Sequence, residues 1–141
     1  MLRRIIKKLV GRSSKPPSKS RPTPPERPVK DESMANIECG PQELRERLEA
    51  GEPVIIIDVR EDYEIKAHGK IPTSAHYPLR ELPVRWEELK DANEVVCYCA
   101  GGARSYNAAM LLRRNGIFNA TSMEGGITAW KAIGAEVESI E

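Results

Sequence analysis

The sequence predicts an α/β domain, a parallel sheet with helices on both faces, preceded by a disordered basic tail. Three observations carry this. From Met34 onward, short β-branched runs alternate with helical patterns, the arrangement that builds parallel sheets. One of these runs, "VIIIDV" at 54–59, is almost continuously apolar, as expected for a strand covered on both faces. Charge and proline are also segregated. Residues 1–30 hold ten Lys/Arg and one acid, Glu26, whereas residues 31–141 hold twelve bases and twenty acids, a net charge of −8.

Two regions follow from this, a tail over 1–33 and a domain over 34–141. In "MLRRIIKKLV" the residues Met1, Leu2, Ile5, Ile6, Leu9 and Val10 share one half of a helical wheel, and Arg3, Arg4, Lys7 and Lys8 fill the other. Residues 1–10 are thus a candidate for lying on an anionic membrane surface, which would have to induce so short a helix. Residues 11–33 contain six of the eleven prolines and almost no apolar side chains, the composition of an extended or disordered linker. Met34 offers a second candidate start, in which case the tail would have no role. No nucleic-acid partner is expected, because no aromatic residues interleave the basic ones.

Within the domain, "NIEC" reads as a short strand, and Gly40-Pro41 opens the helix "PQELRERLEAG". After the 54–59 strand come a short helix over 61–68, an extended segment "SAHYPL", and a helical stretch containing Trp86 and Leu89. The strand 94–98 leads to a long helix over 103–115, with Ala108, Ala109, Leu111 and Leu112 available to the core and Gly116 as its stop. "NATSM" makes a last strand and "GITAWKAIG" a last helix.

A length of 141 residues fits one domain, and nothing approaches the run of about 18 apolar residues that marks a membrane span. The three cysteines (39, 97 and 99) are odd in number and irregularly spaced, which argues against a disulfide framework. With no CxxC or Cys/His cluster, neither a metal nor another cofactor is expected. Reduced thiols point to the cytoplasm, with the tail allowing attachment to the inner face of the membrane.

Chemistry concentrates in "CYCAGGARSYN" at 97–107. Ligands of parallel sheets sit outside the carboxyl ends of the strands, where Cys99 lies. A helix N-terminus stabilises thiolate, and Gly101 and Gly102 let successive backbone N–H groups converge on one anion. Arg104 adds a fixed charge that braces the loop or holds an anionic substrate. The plainer alternative, and the weaker one, is an inert buried Cys99 on a tight strand-to-helix turn. Cys97 and Cys39 read as packing residues, as do Trp86 and Trp130. His68 and His76, lacking a neighbouring ligand set, read as surface or loop residues.

The Cys99-Ala100-Gly101-Gly102-Ala103-Arg104 loop resembles the active loop of single-domain rhodaneses, the thiosulfate and persulfide sulfurtransferases. The resemblance spans about 36–136. Asp58-Val59-Arg60-Glu61 is similar to the family's Asp-Val-Arg-Glu signature, and "HGKIPTSAHYPL" to its Gly-His-Ile-Pro-Gly-Ala segment, with Lys70 in place of His and Thr73 in place of Gly. "EGGITAW" is similar to the terminal Gly-Gly-x-x-x-Trp. The resemblance implies a rhodanese-like fold and sulfane-sulfur transfer through a Cys99 persulfide cradled by residues 100–104. Thiosulfate or a persulfide is the implied donor, and a thiol, cyanide or a sulfur-acceptor protein takes the sulfur. It also implies that Asp58 ties loops near the catalytic turn, with Arg60 either sharing that role or forming a solvated pair with Glu61 or Glu64. Gly125 and Gly126 would let the last helix approach the Cys99 loop.

Rival functions remain. The phosphatases that share the thiolate, amide cradle and arginine have five residues between Cys and Arg, usually after a His. Here there are four, after Tyr98. A non-enzymatic sulfur carrier or regulatory binding module is the alternative from another class, and arsenate reduction on a related fold is a lesser one.

Overall fold

The structure is a computed structural model and describes residues 35–140. The readings of residues 1–33 as an amphipathic segment and linker, and of Met34 as a start, lie outside the described residues.

The strands are β1 (Glu38–Cys39), β2 (Ile55–Asp58), β3 (Ala75–His76), β4 (Val95–Tyr98) and β5 (Ala120–Met123). The helices are α1 (Pro41–Glu49), α2 (Asp62–His68), α3 (Leu82–Arg85), α4 (Ala103–Arg114) and α5 (Gly126–Ala132), with single 3₁₀ turns on either side of α3. The five strands form one parallel sheet in the order β1-β5-β4-β2-β3. Each helix or helical turn that links two strands carries the chain back along the sheet, which is why every pair is parallel.

Central β4 is buried along its whole length. It pairs with β2 on one side (Ile55 opposite Val95, Asp58 opposite Tyr98) and with β5 on the other (Val95 opposite Ala120). Side chains alternate between the faces. Ile56, Val96, Tyr98 and Met123 pack with Leu44 of α1 and Ile127 and Trp130 of α5. On the opposite face Ser122 meets Ser105 of α4, whose Ala108, Ala109 and Leu112 are buried. Leu111 was expected in this core but is only half-buried. It lies roughly 100° around the helix from Leu112, at the edge of the buried stripe.

Trp130 is buried and donates from its indole to Glu136 O at 2.7 Å; Trp86 is half-buried. The two departures from the Gly-His-Ile-Pro-Gly-Ala pattern have visible consequences. Lys70 exchanges both backbone hydrogen bonds with Glu138, and its Nζ donates to Ser74 O at 3.0 Å. Thr73 sits at φ 69°, a left-handed conformation strained for a β-branched residue and natural for glycine. Among the described residues, no helix is long and apolar enough to cross a membrane.

Candidate active site

Tyr98 closes β4, and the next residue, Cys99, leaves the sheet at its carboxyl edge. A left-handed Gly102 (φ 113°) then turns the chain into α4. Two backbone amides converge on the sulfur as a result, with a hydroxyl beside them. Gly102 N–H donates to Cys99 Sγ at 3.0 Å and Ser105 N–H at 3.4 Å, while Ser105 Oγ lies 3.5 Å away. Burial alone would push the thiol up. The hydrogen bonds from Ser105 and from the Gly102 and Gly101 amides outweigh it, and the Cys99 pKa is lowered. Ser105 is itself held by Ser122 Oγ at 2.7 Å and by Gly102 O at 3.2 Å.

The other two thiols differ. Cys97 is wholly buried, and that burial pushes its pKa up. Cys39 is buried beside Thr121 and is shifted the same way for the same reason. Three cysteines of one chain are thus sorted by the donors around them, and Cys99 alone has its thiolate favoured.

The rest of the loop is held from behind. Ile127 N–H donates to Cys99 O at 2.8 Å and Thr128 N–H to Ala100 O at 3.2 Å, so α5 clasps the loop carbonyls and leaves its amides turned to the sulfur. Gly126 makes this approach possible, since a Cβ there would fall 2.4 Å from Ala100 O. The close contact expected of Gly125 and Gly126 is present. Gly101 and Ala103 are exposed at the rim.

Below the loop lies a buried ion pair. Arg60 Nε and Nη2 donate to Asp58 Oδ1 and Oδ2 at 3.0 and 2.7 Å, and both side chains are 1% exposed. Arg60 Nη2 also donates to Gly69 O at 2.7 Å, and the guanidinium stacks 5.4 Å from the Tyr98 ring centre. The Tyr98 hydroxyl receives Ile71 N–H at 3.0 Å and meets Ser74 Oγ at 3.1 Å. His76 Nε2 lies 2.7 Å from Arg60 O, while His68 is exposed. A solvated pair of Arg60 with Glu61 or Glu64 is therefore excluded. Arg60 is buried, and only Asp58 is placed to neutralise it there. The pair ties the β2 end and the 69–76 segment to Tyr98, next to Cys99.

Arg104 does not stand free. Its Nη1 and Nη2 donate to Glu64 Oε2 and Oε1 at 2.7 and 2.9 Å, and this holds the Glu64 carboxyl down to about 2. Sequence reasoning missed both Ser105 and Glu64 as site residues. Ser105 was detectable from its place in the first turn after the glycines, and Glu64 from the Glu61-x-x-Glu64 capping pattern. Among the described residues no three His, Cys, Asp or Glu side chains are grouped to hold a metal.

Parallel sheet, strand-end cysteine and amide cradle together define an α/β protein with a stabilised thiolate. Residues 40–133 match the Rhodanese-like domain, and the chain belongs to that family. A sulfurtransferase of Allochromatium vinosum is 36% identical over 104 residues, covering 74% of this chain and 96% of its own. The crystal structure of a rhodanese-like domain protein from Staphylococcus aureus is 34% identical with a TM-score of 0.64, covering 72% of this chain and 98% of that one. A Rhodopseudomonas palustris protein of unknown function, described as a possible tyrosine phosphatase, is 29% identical with a TM-score of 0.68, covering 84% and 99%. Family and relatives support a sulfurtransferase or sulfur-carrier role.

Proposed function

We propose that the protein is a sulfurtransferase that moves a sulfane sulfur through a persulfide on Cys99. The observation that carries this is the convergence of the Gly102 and Ser105 amides on Cys99 Sγ, with the Ser105 hydroxyl beside it. Donors so placed stabilise a thiolate before the reaction and the negative charge on sulfur during it.

With thiosulfate as donor, the Cys99 thiolate attacks the outer sulfur. A new S–S bond forms, the old one breaks, and sulfite leaves with its electron pair. The Cys99 persulfide anion remains in the loop. A thiolate or cyanide then attacks the terminal sulfur, forming a persulfide or thiocyanate and returning the Cys99 thiolate. Charge and electrons balance in both steps without an external oxidant. A persulfide donor reacts in the same way and releases a thiolate.

The ring of amides is short. Four residues separate Cys99 from Arg104, and Arg104 is already engaged by Glu64, which supports a one-atom sulfur guest over a tetrahedral phosphate. A sulfur carrier, whose partner supplies the second half of the chemistry, is the remaining reading of the same thiolate.

The test uses purified protein with thiosulfate and with a small-molecule persulfide. Mass spectrometry should find one added sulfur atom on Cys99, and cyanide should be converted to thiocyanate catalytically. Cys99→Ser should abolish both signals, because a serine hydroxyl is not ionised at neutral pH. Cys97→Ser should retain activity per folded molecule, its thiol being buried and un-ionised. Loading of Cys99 without turnover would favour the carrier. Full turnover in Cys99→Ser would refute the assignment of the nucleophile.

A further inference from the structure

Arg104 supplies the 99–104 loop with its one charged side chain, and that charge is already matched. Glu64 is the anchored member of the pair. Its Oε2 also accepts the Glu61 N–H at 3.0 Å, and the Glu61 side chain accepts the Glu64 N–H in return, a capping box that ties the carboxylate to the first turn of α2. The Glu64 side chain is 14% exposed against 38% for Arg104. Two parallel hydrogen bonds between guanidinium and carboxylate are the strong form of such a pair. An anion approaching the loop therefore meets a neutral pair instead of a free cation. What remains for the sulfur is uncharged, the Gly102 and Ser105 amides that donate to it and the Ser105 hydroxyl beside it, and the two amides converge on one atom.

We infer that Glu64 is a specificity-determining residue. By holding Arg104 in a closed pair it withholds the guanidinium from multiply charged donors such as thiosulfate and favours donors of low charge, a singly charged persulfide foremost. As a statement about donors this rests on the sulfur-transfer reading, whereas the electrostatics of the pair can be probed without it.

Glu64→Gln, in the full chain, removes the negative charge while keeping an oxygen that can accept from Glu61 and Arg104. Cys99 is alkylated with iodoacetamide, which is neutral, and with iodoacetate, a monoanion of similar size. Each reagent forms a thioether on Sγ and releases iodide, and mass spectrometry confirms the site. Dividing the iodoacetate rate by the iodoacetamide rate cancels any change in the thiolate fraction, which both reagents sense alike. The ratio should rise about threefold in Glu64→Gln at low ionic strength, the size expected when one charge leaves a partly solvated site, and the gain should shrink with added salt. Arg104→Gln leaves Glu64 unmatched and should move the ratio down by a similar factor. In turnover, Glu64→Gln should gain on thiosulfate relative to a singly charged donor, through KM more than kcat.

An unchanged ratio in a Glu64→Gln protein that melts cooperatively overturns the inference. If that variant does not fold, an unchanged ratio in Arg104→Gln overturns it instead. Equal losses with both reagents would show a purely structural brace and also overturn it. A shifted ratio in a protein that transfers sulfur from no donor would leave the role of Glu64 standing and remove the transfer reading.

Discussion

Gly126→Ala tests how closely α5 must approach the Cys99 loop. Residue 126 has φ +61°, which costs a residue with a Cβ about 1–2 kcal/mol. The added Cβ would lie 2.4 Å from Ala100 O and 2.5 Å from Cys99 O, and both contacts are with backbone. Because a carbonyl cannot rotate away as a flexible side chain can, α5 must withdraw. Withdrawal breaks the hydrogen bonds from Ile127 N–H to Cys99 O (2.8 Å) and from Thr128 N–H to Ala100 O (3.2 Å). At about 1 kcal/mol for each lost bond, the expected loss is about 3 kcal/mol, or a fall in Tm of about 15 °C for a domain of this size. Gly134→Ala is the control. Its φ is +77° but its Cβ would meet nothing within 4 Å, so it should lose only the backbone strain, about 1 kcal/mol. Urea unfolding of the two variants measures the difference. Iodoacetamide alkylation at neutral pH should slow in Gly126→Ala alone, since freed loop carbonyls let the amides turn from the sulfur. Equal destabilisation by the two substitutions would refute the reasoning, because the close approach would then contribute nothing.

Three further outcomes are expected. Ser105→Ala removes the hydroxyl beside Cys99 Sγ and should raise the thiol's pKa, lowering sulfur transfer at neutral pH about tenfold, with recovery under alkaline conditions; a pH-rate profile checks this. Arg104→Ala should reduce kcat/KM more than it reduces stability, and Arg104→Lys should rescue only in part, because a point charge cannot reproduce the two-point contact with Glu64; steady-state kinetics beside thermal melts separate the two effects. The Glu64 pKa is depressed from 4.5 to about 2 in the folded protein, chiefly by hydrogen bonds from Arg104, so its contribution is complete above pH 4.5 and is lost as pH falls toward 2. With Arg104 38% exposed that contribution is about 2 kcal/mol at most, and denaturation curves across this window should lose it in Glu64→Gln.

Local pattern determined the alternation of strands and helices, the parallel sheet, and the placing of a cysteine and two glycines where a strand turns into a helix. These are legible because β-branched runs, helical periodicity and glycine positions act over a few residues of chain. The motif resemblance also pointed to a close contact at Gly126, although the residues it would touch could not be read. The partners of the charged and hydroxyl groups were decided by the tertiary structure. The domain over 34–141 offers Arg104 eighteen acids, and only the packing of α2 beside α4 selects Glu64, forty residues away. Arg60 was readable as a solvated partner of Glu61 or Glu64, until burial left Asp58 to neutralise it. Ser105 becomes a partner of the sulfur because Ser122, on another strand, holds its hydroxyl in place. A charge or hydroxyl has no preferred partner along a chain, since in water any opposite charge nearby will serve at little gain. Folding removes the water and fixes the distances, and that is where the choice is made.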